Sequence, residues 1–402
     1  MQREKMVMIL RRICPGCGKK NTDNKKIFMR NFSPCRELVP FVEYGVYHCD
    51  RCGLSFAGDI EESMPLNVYY EKMSRYEGDN FLLSPMLKKH YQFIVDTLCK
   101  KISSNASILD VGCAFGGLLN TFKEEGYSNV CGIEPSKKNC EFAKRNYDIH
   151  VIQGALGDEN EELKYKKFDL IILSGVLEHL MDIKTSINQC CELLNGNGIL
   201  AVITPDVAMF EEHEDLFQEF SVEHINYFDI DSLSYIMAEK GFSKILYAKD
   251  HESIMGLAGS MVTAWRFMEN AEVFDSSIWG TDNENRIDSY IQKCRLFQGR
   301  ITERVKKYDT SDGYYIWGAG TNAAILVQLG IIDIEKIRGV FDSNMNYHGL
   351  SAYGNVVHDP KMLKDEKELP IIISSQYAYN AILNSINDMG LNNSIINVFG
   401  GD

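Results

Sequence analysis

No stretch of this sequence approaches 18 consecutive apolar residues, so no bilayer-spanning helix is expected. The opening MQREKMVMILRR is too short and wrongly built for a secretory signal, which leaves the cytoplasm as the expected location. Basic residues are in deficit: 42 Lys and Arg against 56 Asp and Glu give a formal net charge of −14. A broad nucleic-acid-binding face must neutralise phosphates with clustered cations, and this balance argues against one, local patches such as KKNTDNKK apart. A disulfide framework is not expected either. Eight of the 12 cysteines are scattered through predicted strands, helices and loops, as reduced thiols are.

The other four cysteines form a repeated CxxCG, Cys14-Pro-Gly-Cys17-Gly and Cys49-Asp-Arg-Cys52-Gly. A single redox-active pair would sit at a helix start in a βαβ setting, and that setting is absent. Two knuckles, each turning on a glycine, instead aim four thiolates at one tetrahedral centre, a closed structural zinc site with no open catalytic position. Cys35 and His48 are the substitute ligands should one knuckle residue be misassigned. With KIFMRNF and VEYGVYHC as strands between the knuckles, residues 1–58 read as a zinc ribbon. So small a module draws much of its folding free energy from the metal, on the order of 10 kcal/mol.

At 402 residues the chain exceeds one comfortable core, and a composition of 45% hydrophobic and 24% charged residues is that of a globular protein. After the ribbon we read an α/β body over 59–268 with a helical lead-in, a linker helix within 269–310, and a second α/β unit over 311–402. The lead-in carries Tyr69, Tyr70 and Tyr76, which either close over a ligand or pack as a linker, and then a helix over Met86–Ile102.

The body opens on SILDVGCAFGGLL, a buried strand breaking into glycines and resuming as a helix. A phosphate-binding loop aims amides at its ligand and would repel it with a carboxylate. Here Asp110 lies two residues before Gly112, in Asp110-x-Gly112-x-Ala114-x-Gly116, and Glu134 closes the next strand, VCGIEP, 24 residues later. This pattern resembles motif I of the class I methyltransferases, whose cofactor S-adenosylmethionine (SAM) brings a sulfonium and an ammonium and no phosphate. The resemblance implies a doubly wound sheet, with Asp110, Gly112, Cys113, Ala114 and Gly116 lining the cofactor. Glu134 and Pro135 would lie at its ribose, Ala155 and Leu156 at its adenine, and Ser174 at the exit of the fourth strand.

The strands IHVIQG, FDLIILSG and NGILAVITPD continue the alternation with helices, and ligands of such sheets sit at the carboxyl ends of the strands. Two clusters fall on that edge. Leu177-Glu178-His179 follows the fourth strand, and Glu223-His224 lies in FSVEHINYF after the fifth. Methyl transfer needs little beyond positioning, so the base serves the acceptor: a hydroxyl must lose its proton, and a carbon must become an enolate. His224, with Glu223 beside it, and His179 are the candidates.

At the end of the body, Ser253–Arg266 is predicted as a strand of the antiparallel tail that completes such sheets, and beyond it Asn285–Lys307 as a long helix. YYIWGAGTNAAILVQLG then gives strand, Gly318-x-Gly320-x-x-Ala323 and helix, and IRGVFDSN ends a second strand at Asp342. The spacing is that of a dinucleotide fingerprint, but about half of such a fold remains, with IIISSQ and IINVF as the last strands.

Taken together, the paired CxxC sites, the body, Glu223-His224 and the small Rossmann-like end resemble the sugar C-methyltransferases that act on nucleotide-linked keto-deoxysugars, a group related to surface-polysaccharide methyltransferases. That resemblance implies zinc on Cys14, Cys17, Cys49 and Cys52, SAM in the middle, a nucleotide sugar as the substrate held partly by the last domain, and enolate formation by a histidine. The chain departs from the family at Ser221, where a tyrosine is usual, at His251-Glu252-Ser253, where His-Gly-Gly-Ser is usual, and at Thr321-Asn322, where the glycine loop usually carries lysine. C-methylation of a keto-sugar is slightly favoured over O-methylation. The alternatives are a zinc-containing rRNA methyltransferase, opposed by the acidity and by TPDV where NPPY is usual, and a non-catalytic binder of SAM or a nucleotide sugar.

Overall fold

Three β-sheets follow one another along the chain. The computed structural model describes residues 9–20, 24–66, 68–69, 84–158, 161–252, 258–267 and 282–400. Tyr70, Tyr76 and the start of the strand predicted from Ser253 lie outside them. The first sheet holds β1 (Ile9–Leu10), β2 (Lys25–Asn31), β3 (Phe41–His48) and β4 (Ser55–Glu62), antiparallel in the order β1-β4-β3-β2. Its β3 is aromatic and β-branched and almost wholly buried, as a central strand covered on both faces must be.

The second sheet carries β5 (Ile108–Val111), β6 (Val130–Glu134), β7 (His150–Gln153), β8 (Phe168–Ser174) and β9 (Leu194–Pro205), all parallel. A short β10 (Asn226–Tyr227) leaves this succession and adds to the first sheet, Asn226 opposite Phe56 and Tyr227 opposite Ser55 on β4. Then β11 (Phe242–Asp250) and β12 (Ser260–Phe267) return antiparallel and complete the order β11-β12-β9-β8-β5-β6-β7. Side-chain caps start the helices at the strand exits: Ser136 accepts from Asn139 N at 3.4 Å, Asp182 from Thr185 N at 3.0 Å and Asp229 from Ser232 N at 2.8 Å. The lead-in helix, Pro85–Leu98, buries Ile94, Val95 and Leu98.

The third sheet comprises β13 (Tyr314–Trp317), β14 (Ile337–Phe341), β15 (Ser351–Ala352), β16 (Asn355–His358), β17 (Ile371–Ile373) and β18 (Ile395–Ile396), in the order β15-β16-β14-β13-β17-β18. All its pairs are parallel except the β15–β16 hairpin, which the sequence reading had not anticipated. That hairpin turns on Tyr353-Gly354, with φ of +55° and +74°, the two left-handed residues that a tight hairpin turn requires. Also unanticipated was β11, which buries only Phe242 and Asp250 at its ends and alternates poorly between them. The predicted strand from Ser253 proves to be β12, beginning at Ser260.

One apolar cluster joins the first and third sheets across the helix Asn283–Val305, with Phe32, Tyr44, Phe217, Phe220, Tyr290, Ile316 and Tyr353 among its members. Backbone pairing ties the same seam, Tyr353 N donating to Pro34 O at 2.6 Å.

Candidate functional site

The carboxyl ends of β5 and β6 bring Asp110 and Glu134 to one edge of the second sheet, both buried. Between them runs the glycine loop, with φ of +72° at Gly112, +46° at Ala114 and +82° at Gly116, the left-handed values that turn strand into helix within a few residues. A Cβ on Gly116 would come within 3.0 Å of the Ala143 Cβ, so the turn depends on glycine for space as well as for φ. Glu134 accepts from Ala114 N at 3.0 Å, Ser136 N at 2.9 Å and Asn139 Nδ2 at 3.4 Å, three donors that hold its carboxylate at the loop.

Asp110 is treated differently. Its Oδ1 is buried without a hydrogen-bond partner among the described residues. Burial first, and the Glu134 charge second, push its carboxyl well above the usual range. An unpaired buried carboxylate is costly and is stabilised by an arriving cation. Around the same edge, Cys113 is buried, Ala114 and Ser174 are half-buried, and Pro135 and Ala155 are exposed. Leu156 packs half-buried against the core, while Ala155 N donates to Asp158 Oδ2 at 2.7 Å.

Beyond β8, the two predicted histidines converge. The His179 and His224 rings stand edge to face, 4.8 Å between centroids. His179 Nδ1 lies 3.0 Å from Glu223 O. A carbonyl can only accept, so Nδ1 carries the proton and Nε2 is left as the basic nitrogen. Glu178, His179 and His224 place one potential ligand atom each within 4.8 Å of the others, a grouping that could hold a cation as well as move a proton. Glu178 is buried, which raises its carboxyl above the usual range, and the neighbouring His179 offsets only part of that rise.

The glutamate of the pair is held by a residue from far away: Tyr69 OH donates to Glu223 Oε1 at 2.7 Å. Of the three predicted tyrosines, this one is thus buried against the acid. Ser221, where the resembled family has tyrosine, turns the chain here, its Oγ accepting from Glu223 N at 3.2 Å and His224 N at 2.9 Å. Sequence reading missed Asp206, fully buried at the end of β9, where its carboxylate accepts from Ala208 N and Tyr247 OH. It also missed Arg12.

The knuckle cysteines converge as well. Cys14, Cys17, Cys49 and Cys52 are all buried, with their sulfurs within 4.8 Å of one another and Cys14–Cys52 and Cys17–Cys49 each 3.5 Å apart. A tetrahedron of four sulfurs about 2.3 Å from a zinc ion has edges of about 3.8 Å, so the donor set fits that metal. Neither Cys35 nor His48 joins the cluster. In the third sheet, Asp342 accepts from Ala319 N at 2.7 Å and Asn344 N at 2.8 Å, which folds the Gly318-Ala319-Gly320 loop around it. A Cβ on Gly320 would meet nothing within 4 Å, so that face of the loop is open.

Residues 87–247 match the family described as a methyltransferase domain. The middle of this chain is a class I methyltransferase domain. Curated relatives include the ubiquinone biosynthesis O-methyltransferase of Rhodopseudomonas palustris, 32% identical over 123 residues, which are 28% of this chain and 48% of that protein. A protein of the same name from Pelagibacter ubique is 35% identical over 102 residues, 25% of this chain and 42% of its own. The chain therefore spans about half the length of the curated relatives it matches. Among solved structures, the N-methyltransferase NodS of Bradyrhizobium japonicum with S-adenosylhomocysteine is 14% identical at a TM-score of 0.40, covering 50% of this chain and 100% of its own. Among the described residues, no helix is long and apolar enough to cross a membrane.

Proposed function

We propose that this protein is a SAM-dependent methyltransferase whose acceptor is a sugar, carried on a nucleotide, and that a histidine activates that acceptor. The observation that carries the acceptor activation is the His179–His224 pair beside the edge where Asp110 and Glu134 meet, and the sugar rests on the sequence resemblance. Asp110 would hold the ammonium end of SAM and Glu134 its ribose hydroxyls, and the bound cofactor would supply a methyl group already activated by its sulfonium. His224 removes the acceptor proton, and His179, its Nε2 kept basic by the Nδ1 bond to Glu223 O, stands as the second imidazole. With a keto-sugar the proton leaves carbon and an enolate attacks; with a hydroxyl it leaves oxygen. The curated relatives are named for O-methylation, which favours the second course as the alternative.

The test is methyl release from radiolabelled SAM with thymidine- and uridine-diphosphate-linked 4-keto-6-deoxyhexoses, against the same sugars reduced to hydroxyls. Turnover with neither set, alongside a mobility shift with ribosomal RNA, would replace this reading with the nucleic-acid one.

The four cysteines fit a structural zinc. We expect one zinc per chain by elemental mass spectrometry, and Cys49→Ser should lose it along with several degrees of melting temperature. A wild-type chain that purifies metal-free, with Cys49→Ser melting at the same temperature, would remove zinc from the account. The third sheet is read as holding the nucleotide: Asp342→Ala should raise KM for the nucleotide-linked acceptor about tenfold or more with kcat nearly unchanged, whereas an unchanged KM would make that sheet purely structural.

A further inference from the structure

Both histidine-bearing loops are joined by a residue outside the methyltransferase domain. Arg12 lies two residues before the first knuckle cysteine and is buried. Its Nη1 donates to Ala57 O at 2.9 Å and Ile225 O at 3.1 Å. Its Nη2 donates to Asn226 Oδ1 at 2.7 Å and to Leu180 O and Met181 O, each at 3.3 Å. Leu180 and Met181 directly follow His179, and Ile225 and Asn226 directly follow His224.

Asn226 closes the same clasp from the other side. Its Nδ2 donates to Leu177 O and Leu180 O, both at 2.8 Å, so the amide that accepts from Arg12 also grips the His179 turn. Ile225 N adds a bond to Glu178 O at 2.8 Å. The guanidinium rests over the Phe56 ring, 5.9 Å from its centroid, on the strand that pairs with Asn226. A planar fork with fixed donor directions can bridge four main-chain carbonyls and an amide in one geometry; a lysine ammonium cannot reproduce it.

We infer that Arg12 and Asn226 are the positioning residues of the histidine pair: one guanidinium and one amide, supplied by the segment that follows β1 and by β10, set the separation and facing of His179 and His224. This rests on the proposed acceptor chemistry for its consequence in turnover, but the geometry can be read without it. A mispositioned base lowers the rate of the acceptor step while the cofactor edge, on other strands, stays intact.

The test compares Arg12→Lys, Arg12→Ala and Asn226→Ala in the full chain by histidine ring NMR, with the two resonances assigned through His179→Asn and His224→Asn. The His179 and His224 resonances should shift in Arg12→Ala and Asn226→Ala, while those of exposed His150 and His251 stay in place. With a thymidine-diphosphate-linked 4-keto-6-deoxyhexose as acceptor, kcat should fall about 10- to 100-fold at little change in KM, and S-adenosylhomocysteine affinity by calorimetry should stay within about twofold. Arg12→Lys should resemble Arg12→Ala. Unmoved ring resonances, or a wild-type kcat, would overturn the assignment. If Arg12→Ala loses its metal or its fold, Asn226→Ala decides alone, since it leaves Arg12 its four carbonyl partners. If His224→Ala keeps turnover, the acceptor chemistry fails, whereas the ring shifts still judge the positioning.

Discussion

His224→Ala should lose turnover by about 10²- to 10⁴-fold while binding S-adenosylhomocysteine as tightly as the parent. The reasoning is one of position. His224 lies on the loop between β9 and β10, whereas the cofactor edge is built from the ends of β5 and β6, so deleting the imidazole touches one half of the site only. Glu223→Gln should show a milder loss, because it keeps the main-chain carbonyl that accepts from His179 Nδ1 and removes only the charge that Tyr69 meets. Parallel measurement of cofactor affinity by calorimetry and of methyl transfer with nucleotide-linked keto-sugars would decide it. Wild-type turnover in His224→Ala would remove this residue from the mechanism.

The second large effect concerns the two carboxylates. Asp110→Ala and Glu134→Ala should each weaken SAM binding by about 2–5 kcal/mol, roughly 30- to 5000-fold in Kd, since each removes the partner of a desolvated polar or charged group. Asp110→Asn separates binding from folding. The folded-state pKa of Asp110 is raised above its unfolded value, so the native chain holds a proton that the unfolded chain releases, and stability falls as pH rises from the ordinary carboxylate range through the raised value. Removing the charge should therefore raise the melting temperature of the ligand-free protein at neutral pH and flatten its pH dependence, even as SAM affinity drops. An unchanged affinity in both alanine variants would count decisively against this site.

Why these acids could be read from sequence, and other parts of the site could not, is a matter of range. Asp110, the left-handed turn at Gly112 and Gly116, and Glu134 at the end of the next strand lie within one βαβ unit, where strand ends and glycines dictate geometry. The cysteine knuckles are legible for the same reason: each pair fixes its own local turn. By contrast, the Tyr69–Glu223 bond spans 154 positions and Arg12–Asn226 spans 214. A tyrosine in a tyrosine-rich lead-in, or an arginine beside a knuckle, carries no local mark of its distant partner. The same holds for β10, two residues long, whose strand character comes wholly from the edge of β4 that receives it. The hairpin at Tyr353-Gly354 is a different case. Its turn was present in the sequence, but strands of two and four residues were too short to register.

The crossing of β10 onto β4 has a practical corollary for anyone trimming this protein. A fragment limited to residues 87–247 would keep the carboxylate rim yet strip Asn226 and Tyr227 of the edge they lie on, and would leave the carbonyls after both imidazoles without their cation. Such a fragment would be a cofactor holder with a loosened acceptor half. The histidine pair therefore belongs to the seam between the first two sheets rather than to either one, and a fragment that keeps its geometry must keep both.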